Sequence, residues 1–148
     1  MDRFTLVPRE FFDPADSKRL LSELVQLDQN DTIQYTELPE YGAVLVYCNA
    51  LPVVHRLFGL LAGISEDEKV VISYDGASLS LVVARGADLL LANCFEAADF
   101  ATALYFVAAS LEQFAMKPEE IVLRYSGDMQ YDWQEMLYKY FKGILRVA

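Results

Sequence analysis

Two short polar turns carry residue types that could hold a phosphate group or a metal ion. The first reads Asp75-Gly76-Ala77-Ser78, joins two strand-like runs, and is followed closely by Ser80. Glycine lets backbone N–H groups approach a phosphate, an aspartate can hold a metal-bound water, and serine hydroxyls can donate to a ligand. The same Asp-Gly pair is typical of a plain hairpin turn, in which glycine supplies the positive φ angle. Both interpretations remain open.

The second turn reads Ser126-Gly127-Asp128 and follows an apolar strand pattern. Ser126 and Gly127 could admit a ligand at the end of that strand. The alternative is an ordinary strand-to-helix turn, in which Asp128 stabilises the N-terminus of the next helix.

The balance of charges limits the classes of partner. The chain has 148 residues and a formal net charge of −10, and this length suits one domain or two small lobes. An acidic surface repels the phosphates of nucleic acid and of anionic lipid, so we expect no nucleic-acid partner. The longest apolar run, near residues 101–111, is too short to span a bilayer, and no membrane insertion is expected.

Cysteine and histidine usage argues against a metal centre. Cys48 and Cys94 lie in apolar strand-like runs, and His55 is the one histidine of the sequence. A structural zinc site takes about four such ligands, so we expect no metal. Two buried free thiols indicate a reducing compartment, and we expect a cytoplasmic protein.

The first part of the chain alternates short strands and helices. Asp13 and Pro14 are typical of a helix start and predict a helix over residues 13–27. Its expected inward residues are Leu20, Leu21, Leu24 and Leu27. Strands are predicted over residues 3–8 and from Ala43 to Cys48, with a third near residue 33 and a further helix over residues 50–64.

A charged linker near residue 65 leads into a β-β-β-α-β-α-β order. The predicted strands cover 69–75, 78–84, 88–95, 121–125 and 143–148, and the helices cover 96–116 and 129–141. This order is typical of the ribonuclease H-like fold, an α/β unit with a mixed sheet and flanking helices that actin-like ATPases carry twice. We therefore predict a partial first lobe over residues 1–64 and a ribonuclease H-like second lobe over residues 65–148.

The helix patterns predict which side chains are buried. The helix over 96–116 is apolar nearly all round, which favours burial between layers. The later helix should turn inward Trp133, Met136, Leu137, Tyr140 and Phe141. These stripes do not need Tyr105, Tyr131 or Tyr138. Such tyrosines either lie at the edge of the core or form an exposed protein interface.

Four segments resemble, in the same order, an uncharacterised Bacteroidetes family with an actin-like ATPase fold. They read "FTLVPREFF", "ELPEYGAVLVYCNALPVVHRLFGLL", "ISYDGASLSLVVARGADLLLANCFEAADFATALYFV" and "IVLRYSGD". The chain is more distantly similar to the actin-like proteins of type IV pilus assembly. The family has no established activity. Compared with it, this chain looks shortened, since a first three-stranded unit and a later strand and helix are missing. A partner or a second copy could complete the missing sheet.

The resemblance implies a nucleotide site with a reduced set of glycines. In actin-like ATPases the second phosphate loop is an Asp-x-Gly-Gly-Gly-Thr hairpin, and here its counterpart runs from Asp75 through Gly76 and Ser78 to Ser80. The adenosine loop of such proteins has two glycines, and the counterpart here is Ser126-Gly127. The resemblance therefore implies a degenerate site, with Mg-ATP as the cofactor if any binds.

Three functions remain open. The first, which we favour, is a non-catalytic interaction module that binds another protein or itself. Alternatively it binds a nucleotide weakly or hydrolyses ATP slowly, with Asp75 placing a metal-bound water. Less favoured is a two-metal nuclease with carboxylates from Asp75, Glu96 or Asp99, and Asp128.

Overall fold

The computed structural model describes residues 1–147, which form two compact units. One unit comprises Asp2–Pro52 and the other begins at Val53. Helix α2 (Val53–Leu61) packs against the large sheet of the second unit. The lobe boundary expected between residues 64 and 65 stays a prediction.

The first unit is a three-stranded antiparallel sheet with one short α-helix. Its elements are β1 (Phe4–Pro8), α1 (Ser17–Ser22), β2 (Ile33–Leu38) and β3 (Ala43–Cys48), in the sheet order β1-β3-β2. The apolar strand β3 lies in the centre, as predicted, and Val44 and Val46 form a core with Leu21 of α1. Asp13 caps the turn before α1, since its carboxylate accepts the Ala15 N–H at 3.0 Å.

A clamp of polar side chains joins the ends of these three strands. The Arg3 guanidinium donates to both carboxylate oxygens of Asp31, at 2.8 and 3.1 Å. The side chain of Asn49 and the backbone N–H of Asp28 also donate to this carboxylate, at 2.9 and 2.7 Å. The bond from Arg3 is the main reason why the pKa of Asp31 lies well below its usual range. Arg3 precedes β1, Asp31 precedes β2 and Asn49 follows β3, so the clamp holds the register of the sheet.

The helix predicted over residues 13–27 is shorter in the structure. A 3₁₀ turn (Pro14–Asp16) precedes α1, which ends at Ser22. The Ser22 hydroxyl donates to the Arg19 carbonyl at 2.8 Å, a local bond that competes with continuation of the helix. The prediction that Leu24 packs inward is wrong, because its side chain is 68 % exposed.

The second unit has the predicted β-β-β-α-β-α-β order, preceded by α2. Its remaining elements are β4 (Glu68–Tyr74), β5 (Ser78–Arg85), β6 (Asp88–Glu96), α3 (Phe100–Gln113), β7 (Val122–Tyr125), α4 (Tyr131–Tyr138) and β8 (Gly143–Arg146). The sheet order is β6-β5-β4-β7-β8, antiparallel in the meander and parallel from β4 to β8. Gly86, in the tight turn before β6, has the predicted positive φ, 60°. The last strand ends before Ala148, a residue of the predicted strand that lies outside the described residues.

Helices cover both faces of this sheet. Alternate residues of β4, β5 and β7, such as Ile72, Leu81 and Leu123, form the main core with α3 and α4. The intervening residues point to the opposite face, where α2 packs on β4 and β5. Since both faces are covered, the central strands are continuously apolar.

Two expectations about the later helices are wrong. Helix α3 buries one face only, and Tyr105 on its outer side is 67 % exposed. Its apolar outer positions are largely alanines, such as Ala101 and Ala108, whose small side chains lose little by contact with water. Helix α4 ends at Tyr138, so Tyr140 falls outside the helical spacing and is exposed rather than inward.

The clamp predicts a pH dependence of stability. Because the folded pKa of Asp31 is lowered, its stabilising effect is fully present above the ordinary aspartate pKa of about 4. The effect is lost as the pH falls through the lower folded value. The difference in unfolding free energy between the wild type and Asp31→Ala should therefore be largest at neutral pH and shrink in acid, as urea unfolding at several pH values would measure.

The matched control is Glu23→Ala. Glu23 directly follows α1, and its exposed carboxylate pairs with Arg19 of that helix. Surface pairs of this kind contribute little, so its unfolding free energy should stay close to the wild-type value at every pH. An Asp31→Ala difference that is constant from neutral to acid pH would contradict the assigned role of the clamp.

Candidate functional site

The first candidate turn is closed by the carboxylate of Asp75. Asp75 follows β4, and its Oδ1 accepts the backbone N–H groups of Ala77 at 2.8 Å and Ser78 at 2.7 Å. These two bonds are the main cause that lowers the pKa of Asp75 below its usual value. Gly76 adopts a φ of 95°, which favours glycine. The residues therefore form a hairpin turn in which the acid binds its own loop.

This arrangement decides which donors the turn presents. A hairpin that binds phosphate directs its backbone N–H groups at the ligand. Here the N–H groups of Ala77 and Ser78 already donate to an anionic partner within the chain. A phosphate at this place would have to displace the Asp75 carboxylate, or accept from other groups.

Ser80 lies beyond the turn, inside strand β5. Its side chain is buried, and its hydroxyl is 3.9 Å from the Cys94 sulfur across the β5–β6 pair. The register places Ser80 directly opposite Cys94. The structure thus positions this hydroxyl within the sheet, whereas Asp75, Gly76 and Ser78 stand at its edge.

The second candidate turn lies at the same edge of the sheet as the first. Strand β7 runs parallel to β4, with Tyr125 opposite Ile72, and the Ser126 N–H donates to the Ile72 carbonyl at 2.9 Å. Gly127 follows with a φ of 92°. The carboxyl ends of β4 and β7 therefore meet, and from there the chain leaves toward β5 on one side and toward β8 on the other. Open α/β sheets commonly bind ligands at such a switch point.

An arginine that the sequence prediction missed joins these two strand ends. Nε of Arg56, on helix α2, donates to the Ser126 hydroxyl at 3.2 Å, and Nη2 donates to the Ser73 hydroxyl at 3.4 Å. Ser73 is the penultimate residue of β4. Arg56 is distant from Ser126 in sequence and sits in an otherwise apolar helix pattern. The one local signal was its position as a single cation in that pattern.

The carboxylates of the nuclease alternative do not converge. Asp99 accepts the Thr102 N–H at 2.8 Å and caps α3, and this bond lowers its pKa. Asp128 is exposed and lies 3.6 Å from Arg146. Within residues 1–147, no three acidic, cysteine or histidine side chains lie close enough together to hold a metal ion.

An apolar groove lies between α3 and α4 on the outside of the second unit. Its volume is about 320 Å³. It is lined by Ala101, Leu104, Tyr105, Ala108, Pro118, Met136, Tyr140 and Phe141. The tyrosines that the sequence left without a core position, 105, 131 and 138, are all exposed. Of these three, Tyr105 alone lines the groove, where Tyr140 is a second exposed tyrosine.

Comparison with known proteins identifies the fold and no activity. A family described as "Protein of unknown function (DUF3822)" matches residues 53–144. A crystal structure from Bacteroides thetaiotaomicron, described as a protein with actin-like ATPase fold and unknown function, matches with a TM-score of 0.83 and 18 % identity. The match covers 99 % of this chain and 65 % of that one, so this chain spans about two thirds of the neighbour's length. The chain thus has an actin-like ATPase fold, as predicted.

Other comparisons add little. Pelota from Archaeoglobus fulgidus matches with a TM-score of 0.39 and 18 % identity, over 71 % of this chain and 34 % of that one. No curated protein matches the sequence. No described helix combines the length and the apolar character that crossing a bilayer requires.

The Asp75 turn predicts a specific loss of stability. Asp75→Ala removes the acceptor of two loop N–H groups and should lower the free energy of unfolding by about 1 kcal/mol. Asp75→Asn retains an Oδ1 acceptor and should recover most of this loss. Chemical denaturation of the three proteins measures both effects.

Asp128→Ala serves as the control for removing a charge at the same edge of the sheet. Its carboxylate is exposed and its ion pair with Arg146 is long, so the unfolding free energy should change little. An Asp75→Ala protein as stable as the wild type would show that the carboxylate does not hold the turn in solution.

Proposed function

The chain belongs to the family described as "Protein of unknown function (DUF3822)", and we propose that it is a non-catalytic interaction protein on an actin-like ATPase fold. The observation that carries the proposal is the closed first turn. Asp75, the residue that would place a metal-bound water, uses its Oδ1 to accept the N–H groups of Ala77 and Ser78. We therefore take this loop to be a degenerate nucleotide loop, since its acid accepts N–H groups of the loop itself.

Catalysis is further opposed by the surroundings of that acid. A metal-bound water needs a carboxylate that is free to coordinate, and phosphoryl transfer needs donors aimed at the developing charge. The donors of the turn are engaged, and in residues 1–147 no other carboxylates gather beside Asp75 to share a metal ion. The engagement of these donors supports a binding role over a hydrolytic one.

The interaction surface we infer is the groove between α3 and α4, and its occupant is a second copy of the chain. Leu104 and Tyr105 of α3 line the groove, and Tyr105 is exposed. Two copies related by a two-fold axis can each place this part of α3 against the groove of the other, since a two-fold interface uses the same patch twice. Exposed tyrosines are enriched at such interfaces.

A second candidate function is weak nucleotide binding. It is favoured by the Ser126-Gly127 turn, where Gly127 has a positive φ and the Arg56 guanidinium lies beside Ser126. This candidate places the ligand at the second turn and requires no catalytic role for Asp75. The two candidates are distinguished by whether a divalent metal ion strengthens the binding of the nucleotide.

We also propose that the protein is cytoplasmic. Cys48 and Cys94 are both buried, and neither forms a disulfide within residues 1–147. Two thiols outside any disulfide fit a reducing compartment better than an oxidising one.

The proposal predicts no hydrolysis of Mg-ATP. Phosphate release by the wild type should equal that of Asp75→Ala, because the proposal gives Asp75 a role in holding its own turn rather than in placing a water. Adding Mg²⁺ should not increase the melting-temperature shift beyond that with ATP alone. A ligand at about a hundred times its dissociation constant stabilises a fold by about 2.7 kcal/mol, which melting curves detect readily.

Turnover that Asp75→Ala abolishes would contradict the non-catalytic proposal and support a slow ATPase. A melting shift that requires Mg²⁺ and ATP together would also favour the nucleotide alternative. Mg²⁺ without nucleotide is the control for binding of the ion by the acidic surface.

The proposed self-association is tested by analytical ultracentrifugation. The wild type should form dimers with rising concentration, and added salt should strengthen them because it screens the repulsion between two chains of charge −10. Tyr105→Ser should weaken the dimer, since this side chain is exposed and borders the groove. The matched control is Tyr131→Ser, a similarly exposed tyrosine outside the groove lining. A wild type that is monomeric at its highest soluble concentration, at low and high salt, would contradict the proposed dimer.

A further inference from the structure

Arg56 differs from every other arginine of the described chain in its partners. Within residues 1–147, each of the other six arginines has a carboxylate oxygen within 4 Å; these are Arg3, Arg9, Arg19, Arg85, Arg124 and Arg146. Arg56 instead donates to the neutral hydroxyls of Ser126 and Ser73. In a chain with 22 acidic and 12 basic residues, an arginine with no carboxylate of residues 1–147 within 4 Å keeps its full charge for an external anion.

The two serines orient this guanidinium without neutralising it. The Ser126 side chain is nearly fully buried, at 3 % exposure, and it contacts Nε, whereas Ser73 contacts Nη2. A guanidinium carries five N–H donors in one plane, and these bonds use two of them. Arg56 is an exposed residue, and the two bonds fix the direction of its head group.

The location of this cluster suits a ligand. Ser73 and Ser126 are at the carboxyl ends of the adjacent parallel strands β4 and β7, where the connections diverge. Gly127 follows Ser126, and among residues 1–147 a Cβ atom at its position would come within 4 Å of the Ser73 hydroxyl alone, at 3.9 Å. The turn therefore leaves open space at Gly127, next to the hydroxyl that Arg56 contacts.

We propose that Arg56, oriented by Ser73 and Ser126, binds a phosphate group at this edge of the sheet. The guanidinium fork matches two phosphate oxygens, and the Ser73 hydroxyl stands beside it as a further donor. The phosphate belongs to a free phosphate ion or to a phosphomonoester, which share this chemistry. The site does not use the N–H groups of the Asp75 turn, and it stands whether or not the chain dimerises.

The first experiment follows the melting temperature in a titration with inorganic phosphate, at constant ionic strength maintained with chloride and without divalent ions. The wild type should show a saturable rise, and Arg56→Gln should show none. Arg56→Lys keeps the charge but loses the forked pair of guanidinium donors, so its apparent dissociation constant for phosphate should be about tenfold higher. The lysine variant also keeps the test decisive if the glutamine variant does not fold.

The matched control is Arg19→Gln, which removes an exposed arginine from the other unit, where it pairs with Asp16 and Glu23. Its phosphate response should equal that of the wild type. A wild type without a saturable response, or an Arg56→Gln protein that responds as the wild type does, overturns the proposal.

Two further arms identify the ligand chemistry and the site. AMP in place of phosphate distinguishes the sources: responses to both indicate a phosphomonoester site, a response to phosphate alone indicates the free ion, and Arg56→Gln should abolish either. Succinate should give a weaker response, and a response equal to that of phosphate overturns the assignment, since any anion would then suffice.

Asp75→Ala should retain the phosphate response. Its loss there, with retention in Arg56→Gln, would place the anion in the first turn and also overturn the proposal.

Discussion

The parallel pairing of β4 with β7 is the contact on which every feature of the candidate site depends. It sets Tyr125 opposite Ile72 and lets the Ser126 N–H bond to the Ile72 carbonyl. Because the strands run in the same direction, the turn after each one emerges at the same edge. Helix α2 then reaches that edge from the opposite face, where Ser73 points. Without this pairing, the two polar turns and Arg56 would be unrelated surface features.

Local patterns were sufficient to predict the order of elements in the second unit. The meander, its positive-φ glycine at position 86 and the later α and β segments each carry a signal within a few residues. Helix lengths were predicted less well, because α1 ends at Ser22 while its apolar spacing continues to Leu24 and Leu27. The role of Arg56 could not be predicted from its local signal, a single cation in a helix pattern, since its contact with Ser126 joins residues 70 positions apart.

The two turns satisfy their donors in opposite ways. At the first, an internal anion takes the N–H groups of Ala77 and Ser78, so an external phosphate must replace two charge-assisted bonds before it gains any. At the second, the Arg56 guanidinium donates to the neutral hydroxyls of Ser126 and Ser73. A phosphate there adds an ionic bond without breaking an existing one. The same sheet edge therefore resists an anion at β4–β5 and favours one beside β7.

This asymmetry separates the binding of an anion from its hydrolysis. Hydrolysis of a nucleotide requires a metal ion and a positioned water on the side of the acid, and Asp75 is held in its own turn. Recognition of a phosphate requires a fixed guanidinium and an adjacent donor, and the phosphate proposal assigns these parts to Arg56 and Ser73. On that proposal, this end of the sheet binds an anion beside β7 while the acid of the first turn stays bonded to its own loop.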